Sequence, residues 1–270
     1  LDLIRNRNWS GHSDTETLLA SIEQWGIDQA LKKTVGMFAI ALWDKQEGVL
    51  YLACDRMGEK PIYYGLVNNQ FVFASELKSI KKFPNFNNPI DRNSVALFLR
   101  FNSIPAPHSI YRDIFKLEPG HILKFDIKKK NHHTYKYWSI NDLYEKGKKN
   151  EFVGSPKDAV NQLETILSKA VSSQMQSDVP LGAFLSGGVD SSTIVALMQS
   201  QTNHKVNTFS IGFDSEEFDE AQHASLVAKH LGTNHFDMYV TEQDALNVIP
   251  HLSKIYDEPF ADSSQIPTFL

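Results

Sequence analysis

The segment from Val179 to Ser200, VPLGAFLSGGVDSSTIVALMQS, constrains the fold more than any other part of the sequence. Its first residues are mostly apolar and have the length of a strand, whereas Thr193 onward is rich in helix formers, with Ile194, Leu197 and Met198 on one helical face. Between them lies a small polar turn with two adjacent glycines. Glycine lets the backbone approach a ligand closely, and the N–H groups that begin a helix attract anions. This order of strand, glycine turn and helix predicts an anion-binding site.

The residues of the turn narrow the kind of anion. A Walker loop needs a lysine after its glycines and a dinucleotide fingerprint needs G-x-G-x-x-G, and SGGVDSS has neither. Its hydroxyls, on Ser186, Ser191 and Ser192, suit a pyrophosphate, and the carboxylate of Asp190 suits a Mg²⁺ ion held against phosphate. The alternative is a glycine-rich turn in which Asp190 or Ser191 only caps a helix.

Composition sets the broad class of the chain. With 270 residues, 41% hydrophobic and 22% charged, it is typical of a soluble globular protein with room for two domains. The net charge of −5 does not favour nucleic acid or an anionic membrane as a partner, and no apolar run approaches the roughly 20 residues that span a bilayer. A single cysteine, Cys54, excludes an internal disulfide and predicts a cytoplasmic location. The sequence shows no signal peptide. Because the chain starts at Leu1 and not at Met, and stops inside a motif, we expect a fragment cut at both ends.

The first half of the sequence predicts an antiparallel α+β domain. Ser13 or Asp14 begins a helix that Gly26 ends, and a short second helix follows over 27–34. Strand-like runs lie at 36–44, 49–55, 61–67 and 70–75, and their short connecting turns predict that neighbours form antiparallel hairpins. A helix over 91–100 and two strands near 120–126 and 133–138, separated by a basic turn, complete this half.

The second half predicts a parallel sheet. The polar segment 139–155 is typical of a linker, and Ser155 and Pro156 begin a helix whose apolar stripe, Val160 to Val171, we expect in the core. Strands and helices then alternate, which is typical of parallel strands joined by crossover helices. Ligands in such folds bind beyond the carboxyl ends of the strands, so we expect the loops 186–192, 212–219 and 257–264 to lie together.

Several stretches resemble a known family in both halves. SGGVDSS resembles the PP-loop of the ATP pyrophosphatases, and FLSGGVDSSTIVALM, TFSIGF and DEPFADSSQIPT resemble glutamine-dependent asparagine synthetases. Upstream, GHSDTETLL, GMFAIALWD, DRMGEKPIYY, FASELKSI and KLEPGH resemble the C-terminal portion of a class II glutamine amidotransferase domain. The resemblance implies part of an antiparallel N-terminal-nucleophile glutaminase domain at 1–138, a linker at 139–155, and part of a parallel-sheet α/β PP-loop domain at 156–270.

The resemblance also implies ATP and Mg²⁺ as cofactors and assigns site residues. The amides and hydroxyls of the glycine loop, with Gly187 and Gly188 in its backbone, would hold the β- and γ-phosphates, and Asp190 would carry Mg²⁺. Leu185 and Ile211 would line an adenine pocket. Asp257 and Glu258 would face the amino-acid substrate or the metal, or else form a charged helix end. One further loop is rich in acidic residues, and we expect it to be a solvent-exposed face. It contains Asp214, Glu216, Glu217 and Asp219.

By resemblance, the reaction forms an amide. ATP adenylates the carboxylate of aspartate with release of pyrophosphate, and ammonia from glutamine attacks the acyl-adenylate to give asparagine and AMP. Two alternatives stay open: the amidation of a sugar acid in surface-polysaccharide synthesis, and a nucleotide-binding module without catalysis. A homodimer is compatible with each of these functions.

The glutamine site departs from the family pattern. Asp14 matches the aspartate that binds the amino group of glutamine, and it also suits a helix cap. The family nucleophile is an N-terminal cysteine whose own α-amine is the base, and this chain begins after that position. We expect Cys54 to be a small buried hydrophobe. A further ATP-site stretch, S-G-E-G-S/T-D-E, would lie beyond Leu270, so we expect these 270 residues alone to be inactive.

Overall fold

A computed structural model describes residues 9–213 and 220–270 of the chain. The chain divides into two compact units. The first contains the residues up to Asn150 together with Asp257–Phe260, and the second contains Glu151–Tyr256 and Ala261–Leu270. Within the described residues, no helix is both long enough and apolar enough to cross a membrane.

The first unit is built on two antiparallel sheets. One has the strand order β1-β2-β6-β7, and its strands are Ala39–Asp44, Val49–Cys54, His121–Asp126 and Asn131–Lys136. The other has the order β4-β3-β5, with strands Gln70–Ala74, Tyr63–Val67 and Ile114–Lys116. The helices of this unit are α1 (Asp14–Lys33), α2 (Leu77–Lys81), α3 (Arg92–Phe101) and α4 (Ile140–Lys149). This architecture confirms the predicted antiparallel α+β class, and it adds α2, β5 and α4, which the sequence did not predict.

Local signals placed the ends of α1 and α3 correctly. Ser13 caps α1 by accepting a hydrogen bond from the amide of Thr15, and α1 breaks at Gly26, whose φ of 74° lies outside the helical region. Asp91 caps α3 by accepting from the amide of Asn93. The polar segment 139–155 contains α4, which has no buried residue, and the division between the two units falls inside this segment, after Asn150.

The predicted hairpin between β2 and β3 is wrong. β2 pairs with β1 and β6, whereas β3 pairs with β4 and β5 in the other sheet. The cause is Asp55, which follows β2 and is 1% exposed. Its carboxylate accepts hydrogen bonds at 2.9–3.3 Å from four backbone amides, those of Phe38, Met57, Glu59 and Lys60. The chain therefore winds around this side chain instead of returning along β2.

The charge state of Asp55 follows from these donors. Burial favours the neutral acid, but the four amides together outweigh burial, and the pKa of Asp55 lies below its usual value. The neighbouring tyrosine Tyr137 donates a hydrogen bond of 2.9 Å from its hydroxyl to the carbonyl of Cys54, and the amide of Gly120 donates to the carbonyl of Asp55 at 2.8 Å. This turn is thus the point at which strands from distant parts of the first unit meet.

The second unit contains a parallel sheet of order β10-β9-β8, as predicted. Its strands are β8 (Gly182–Phe184), β9 (Asn207–Phe213) and β10 (Asn234–Val240). The helices are α5 (Pro156–Gln174), α6 (Val189–Ser200), α7 (Ala221–Leu231), α8 (Glu242–Val248), α9 (Leu252–Ile255) and α10 (Gln265–Phe269). A 3₁₀ turn, Ile249–His251, joins α8 to α9. Gly232 ends α7 in the left-handed conformation, with φ of 73°.

The core of this unit lies between the sheet and two helices. Leu185, Val195, Ala224 and Ala228 are buried against one another and bring α6 and α7 onto the strands. Helix α5 begins with the expected capping box, in which Ser155 and Asp158 bond each other's backbone amides.

The prediction that the apolar stripe of α5 is core is wrong for most of its length. Val160, Leu163 and Ile166 are 62%, 55% and 58% exposed, and in this helix only Val171 is buried. Val171 packs with Met198 and Val206. Helical periodicity shows which residues share a face, but it carries no information on whether another element covers that face.

Replacing Asp55 by Asn tests its role in the first unit. The uncharged amide offers one acceptor oxygen to four backbone donors, so we expect the free energy of unfolding in urea at pH 7 to fall by about 2–4 kcal/mol. Because the pKa of Asp55 is depressed in the folded state, its contribution is present above the unfolded pKa of about 4 and is lost as the pH falls through the folded value. The difference between wild type and variant should therefore narrow on acidification.

Asp126 provides the matched control. It is the last residue of β6, and its partly exposed carboxylate accepts hydrogen bonds from the amides of Lys128 and Lys129 in the following turn. We expect Asp126→Asn to change the urea midpoint much less than Asp55→Asn does. Equal losses from both substitutions would contradict the central role of Asp55.

Candidate functional site

The glycine loop lies between β8 and α6, as the sequence predicted. Helix α6 begins at Val189 with Gly188 as its cap, and no side chain caps it, so neither Asp190 nor Ser191 acts as the helix cap. The hydroxyl of Ser191 reaches back across the loop: it accepts from the amide of Ser186 at 3.2 Å and lies 3.0 Å from the Ser186 hydroxyl. The loop is therefore closed by its own hydroxyls at the amino end of a helix.

Gly187 is required in the loop for two reasons. Its φ of 78° is a conformation that other residues rarely adopt. A Cβ atom at this position would also lie 2.9 Å from the backbone nitrogen of Ala224 and 2.9 Å from Cβ of His223. The backbone of the loop therefore packs directly against the first residues of α7, and this contact fixes the direction of the loop amides.

The hydroxyl of Ser192 is unsatisfied among the residues that the structure describes. Its Oγ atom is buried and has no hydrogen-bond partner within residues 9–213 and 220–270. Buried polar atoms are normally paired, so this exception among the described residues makes the Ser192 hydroxyl a candidate ligand contact. The N–H groups in the first turn of any α-helix have no acceptor within the helix, and this holds for α6. Together these donors suit a multiply charged oxyanion.

Asp190 lies in the first turn of α6 with an exposed side chain. The described residues contain no group of three or more histidine, cysteine or acidic side chains that could hold a metal ion. A single carboxylate nevertheless fits Mg²⁺, because this ion usually takes one or two carboxylates together with phosphate oxygens and water. The donor set at Asp190 therefore suits a metal that arrives with a phosphate ligand.

A cavity of about 870 Å³ lies at the carboxyl ends of β9 and β10 in the second unit. Ile211 and Phe213 from β9 and Val240 from β10 supply apolar walls, and Ser263 and Ser264 supply hydroxyls. This is the edge of a parallel sheet where ligands of such folds bind. Ile211 thus lines a cavity, whereas Leu185 is 1% exposed and packs in the core with Val195 and Ala224.

Asp257 and Glu258 belong to the first unit and not to this cavity. The carboxylate of Glu258 lies 2.5 Å from Nζ of Lys116, and the carboxylate of Asp257 lies 3.7 Å from Nζ of Lys78. Of the three loops expected to lie together, 186–192 and residues 261–264 belong to the second unit, whereas residues 257–260 belong to the first. The acidic residues Asp214, Glu216, Glu217 and Asp219 lie outside the described residues.

Asp14 lies beside a second cavity, within the first unit. This cavity has a volume of about 490 Å³, and Asp14, Gly36, Lys60 and Ser75 are among its lining residues. Asp14 is in the first turn of α1, and its carboxylate accepts a hydrogen bond of 3.3 Å from the hydroxyl of Thr15. A carboxylate beside a cavity suits a ligand that carries an ammonium group.

Cys54 is a buried small side chain, as predicted. Its thiol donates to the carbonyl of Lys60 at 3.3 Å. Burial, with a smaller contribution from the charge of Asp55, raises the pKa of Cys54 to about 12. A buried thiol with a raised pKa is a poor nucleophile.

Sequence reasoning missed two residues that organise the first unit. Asp55 follows a strand and precedes R-M-G-E-K, and an aspartate in that position is a recognisable signal for an acceptor of turn amides. Lys116 carries no such signal. Its partner Glu258 lies 142 positions further along the chain, and no periodic pattern connects them.

Comparison with known proteins agrees with this division of the chain. A glutamine amidotransferase domain model matches residues 2–138, and an asparagine synthase model matches residues 162–270. A candidate glutamine-hydrolysing asparagine synthetase 2 of Methanocaldococcus jannaschii is 39% identical over 263 residues, which cover 95% of this chain and 49% of that protein. Glutamine-hydrolysing asparagine synthetase 1 of Bacillus subtilis is 34% identical over 258 residues, which cover 95% of this chain and 39% of that protein.

These matches define an amidotransferase domain joined to a synthase domain. The chain belongs to the family of glutamine-hydrolysing asparagine synthetases. It spans about half the length, or less, of the curated relatives it matches.

Replacing Gly187 by Ala tests the packing of the glycine loop. The added methyl group meets backbone atoms of α7 and forces a strained φ, so we expect the second unit to lose about 1–3 kcal/mol of unfolding free energy. Gly188→Ala is the matched control, because its φ is −71° and the nearest atom to an added Cβ, Oγ of Ser186, is 3.4 Å away. Thermal and urea denaturation of both variants would measure the difference, and similar losses would contradict the contact.

Proposed function

We propose that the second unit binds the triphosphate of ATP at the glycine loop, and that the whole protein uses ATP to form an amide. The observation that carries this proposal is the buried hydroxyl of Ser192, which has no partner among the described residues and belongs to α6, the helix whose first-turn amides lie at the glycine loop. Phosphate oxygens accept from such donors, and the dipole of α6 adds to the attraction. The names of the relatives support the same assignment, since both are asparagine synthetases.

In this proposal each residue of the glycine loop has its own role in binding ATP. The amides of Ser186–Ser191 and the hydroxyls of Ser191 and Ser192 bind the β- and γ-phosphates, and Asp190 holds Mg²⁺ against them. Mg²⁺ would neutralise charge on the phosphates during adenylation. Ile211 lines the apolar side of the cavity that receives the nucleoside, because an apolar wall suits the faces of an adenine ring. Leu185 supports the loop from the core.

The acceptor in this proposal is aspartate, and the ammonia comes from glutamine. Adenylation of the aspartate carboxylate releases pyrophosphate and creates a good leaving group, and attack by ammonia then gives asparagine and AMP. Asp14 binds the amino group of glutamine in the first unit. The 270 residues themselves do not hydrolyse glutamine, because the thiol of Cys54 is buried and protonated. A cytoplasmic location and assembly as a homodimer complete the proposal.

Substitution of Ser192 by Ala separates ligand binding from folding. The hydroxyl has no partner in the described part of the chain, so its loss should leave the thermal stability unchanged. We expect the affinity for ATP–Mg²⁺, measured by calorimetric titration of the 270-residue chain, to fall by about 3–10-fold, as expected for one lost hydrogen bond.

Ser200→Ala is the matched control, because Ser200 lies at the far end of α6 and its hydroxyl donates to the carbonyl of Leu197. Asp190→Asn should weaken binding in Mg²⁺ more than binding in its absence. Unchanged affinity in Ser192→Ala would reject the phosphate site, and an equal effect of Asp190→Asn with and without Mg²⁺ would reject the metal role.

Exchange between ATP and radiolabelled pyrophosphate identifies the acceptor in the full-length protein. Adenylation is reversible, so we expect exchange that depends on aspartate. Exchange that depends on a uronic acid instead would assign the protein to sugar-acid amidation. If neither acid supports exchange but ATP still binds, the result would favour a nucleotide-binding module without catalysis.

A further inference from the structure

The side chain of Glu258 is held inside the first unit by donors from separate segments. Its side chain is 10% exposed. Nζ of Lys116 lies 2.5 Å from one carboxylate oxygen, and the amide of Ile110 donates to the other at 2.7 Å. The hydroxyl of Tyr63 lies 3.4 Å from the carboxylate. An ammonium group, an amide and a phenol thus converge on one acidic side chain.

The donors around Glu258 form a structured receptor. Lys116 ends β5 and also donates to the carbonyl of Ile104 at 2.5 Å, and Tyr63 begins β3, which pairs with β5 at this position. Nζ of Lys116 lies 5.9 Å from the centre of the Tyr63 ring. Sheet pairing therefore fixes the positions of both side chains independently of Glu258. Burial, followed by the charges of Glu258 and Asp257, raises the pKa of Tyr63, which keeps its hydroxyl protonated as a donor.

Asp257 adds a second, weaker contact to the same segment. Its carboxylate lies 3.7 Å from Nζ of Lys78, a lysine that also lies 3.3 Å from the carboxylate of Glu76. Lys78 is considerably more exposed than Lys116, so solvent screens this pair more strongly. The main attachment of the segment Asp257–Phe260 is therefore the Glu258 carboxylate.

We propose that the first unit carries a carboxylate-binding site, formed by Lys116, the Ile110 amide and Tyr63, and that its resident ligand is Glu258 of the same chain. All three donors lie between positions 63 and 116, whereas the carboxylate arrives from a segment about 140 or more positions further on. The three donors are a cation, a backbone N–H and a hydroxyl, and groups of these kinds bind free carboxylates. Lys116 is the positioning residue that keeps Asp257–Phe260 in the first unit.

This proposal predicts that a small carboxylate can replace the side chain of Glu258. In Glu258→Ala the receptor donors lose their acceptor, which lowers the thermal stability of the 270-residue chain. Acetate should restore part of it in a saturable manner, with a rise in Tm of about 2–4 °C over sodium chloride at equal ionic strength. Wild type should not respond, because its site is occupied, and the double variant Glu258→Ala/Lys116→Met should not respond, because the cation is lost.

Asp142→Ala is the matched control for a lost ion pair. Asp142 pairs with Lys136 in the same unit at 2.9 Å, but both side chains are more than half exposed, so we expect no specific response to acetate. An acetate response of equal size in Asp142→Ala, or in the double variant, would overturn the proposal. So would a folded Glu258→Ala chain that acetate does not stabilise.

Hydrogen exchange provides a second test that does not depend on the folding of Glu258→Ala. The isosteric variant Glu258→Gln removes the charge but keeps the size, and Lys116→Met removes the cation. We expect the amide of Ile110 to exchange at least tenfold faster in both variants, and Lys116→Arg to retain the protection of wild type. Unchanged protection in Glu258→Gln and Lys116→Met would overturn the proposal. Neither test requires ATP, so the outcome is independent of the proposed function.

Discussion

Backbone N–H groups that no strand or helix satisfies determine where anions lie in this chain. Each such group needs an acceptor when it is buried, because an unpaired donor costs as much as a lost hydrogen bond. At the turn after β2 the acceptor is the carboxylate of Asp55, which takes four amides. At the Ile110 amide the acceptor is Glu258. The antiparallel sheets of the first unit separate at the first of these positions, where the carboxylate of Asp55 satisfies the backbone amides that follow the strand.

The sequence predicted those features that local chemistry determines. Serine and aspartate caps begin α1, α3 and α5 where expected, because the capping residue and the amides it binds lie within three positions. Gly26 interrupts α1 and Gly232 ends α7, each through its own backbone conformation. The order of strand, glycine turn and helix placed the loop at Gly187 for the same reason: all of its contributors are neighbours in the sequence.

The features that the sequence did not predict depend on contacts between distant residues. A five-residue turn between two strands is typical of a hairpin, and only the hydrogen bond from the Phe38 amide to Asp55, 17 positions away, indicates a different path. The stripe of α5 from Val160 to Ile166 has regular helical spacing, but spacing does not specify a covering element. For Asp257 and Glu258, the strand-end rule for parallel sheets applies to the loops of that sheet, and it says nothing about residues that belong to another unit.

A comparison of the three anion positions separates internal from external ligands. At Asp55 and at the Ile110 amide, the acceptor is a carboxylate of the chain itself, and in both cases it is largely buried. At the glycine loop, the hydrogen bonds run between hydroxyls, amides and a carbonyl, and the nearby carboxylate of Asp190 is exposed. The hydroxyl of Ser192 is buried without a partner in the described residues. At the first two positions a buried carboxylate of the chain neutralises the donors. At the glycine loop no buried carboxylate among the described residues does so, which is why we propose an anion from solution there.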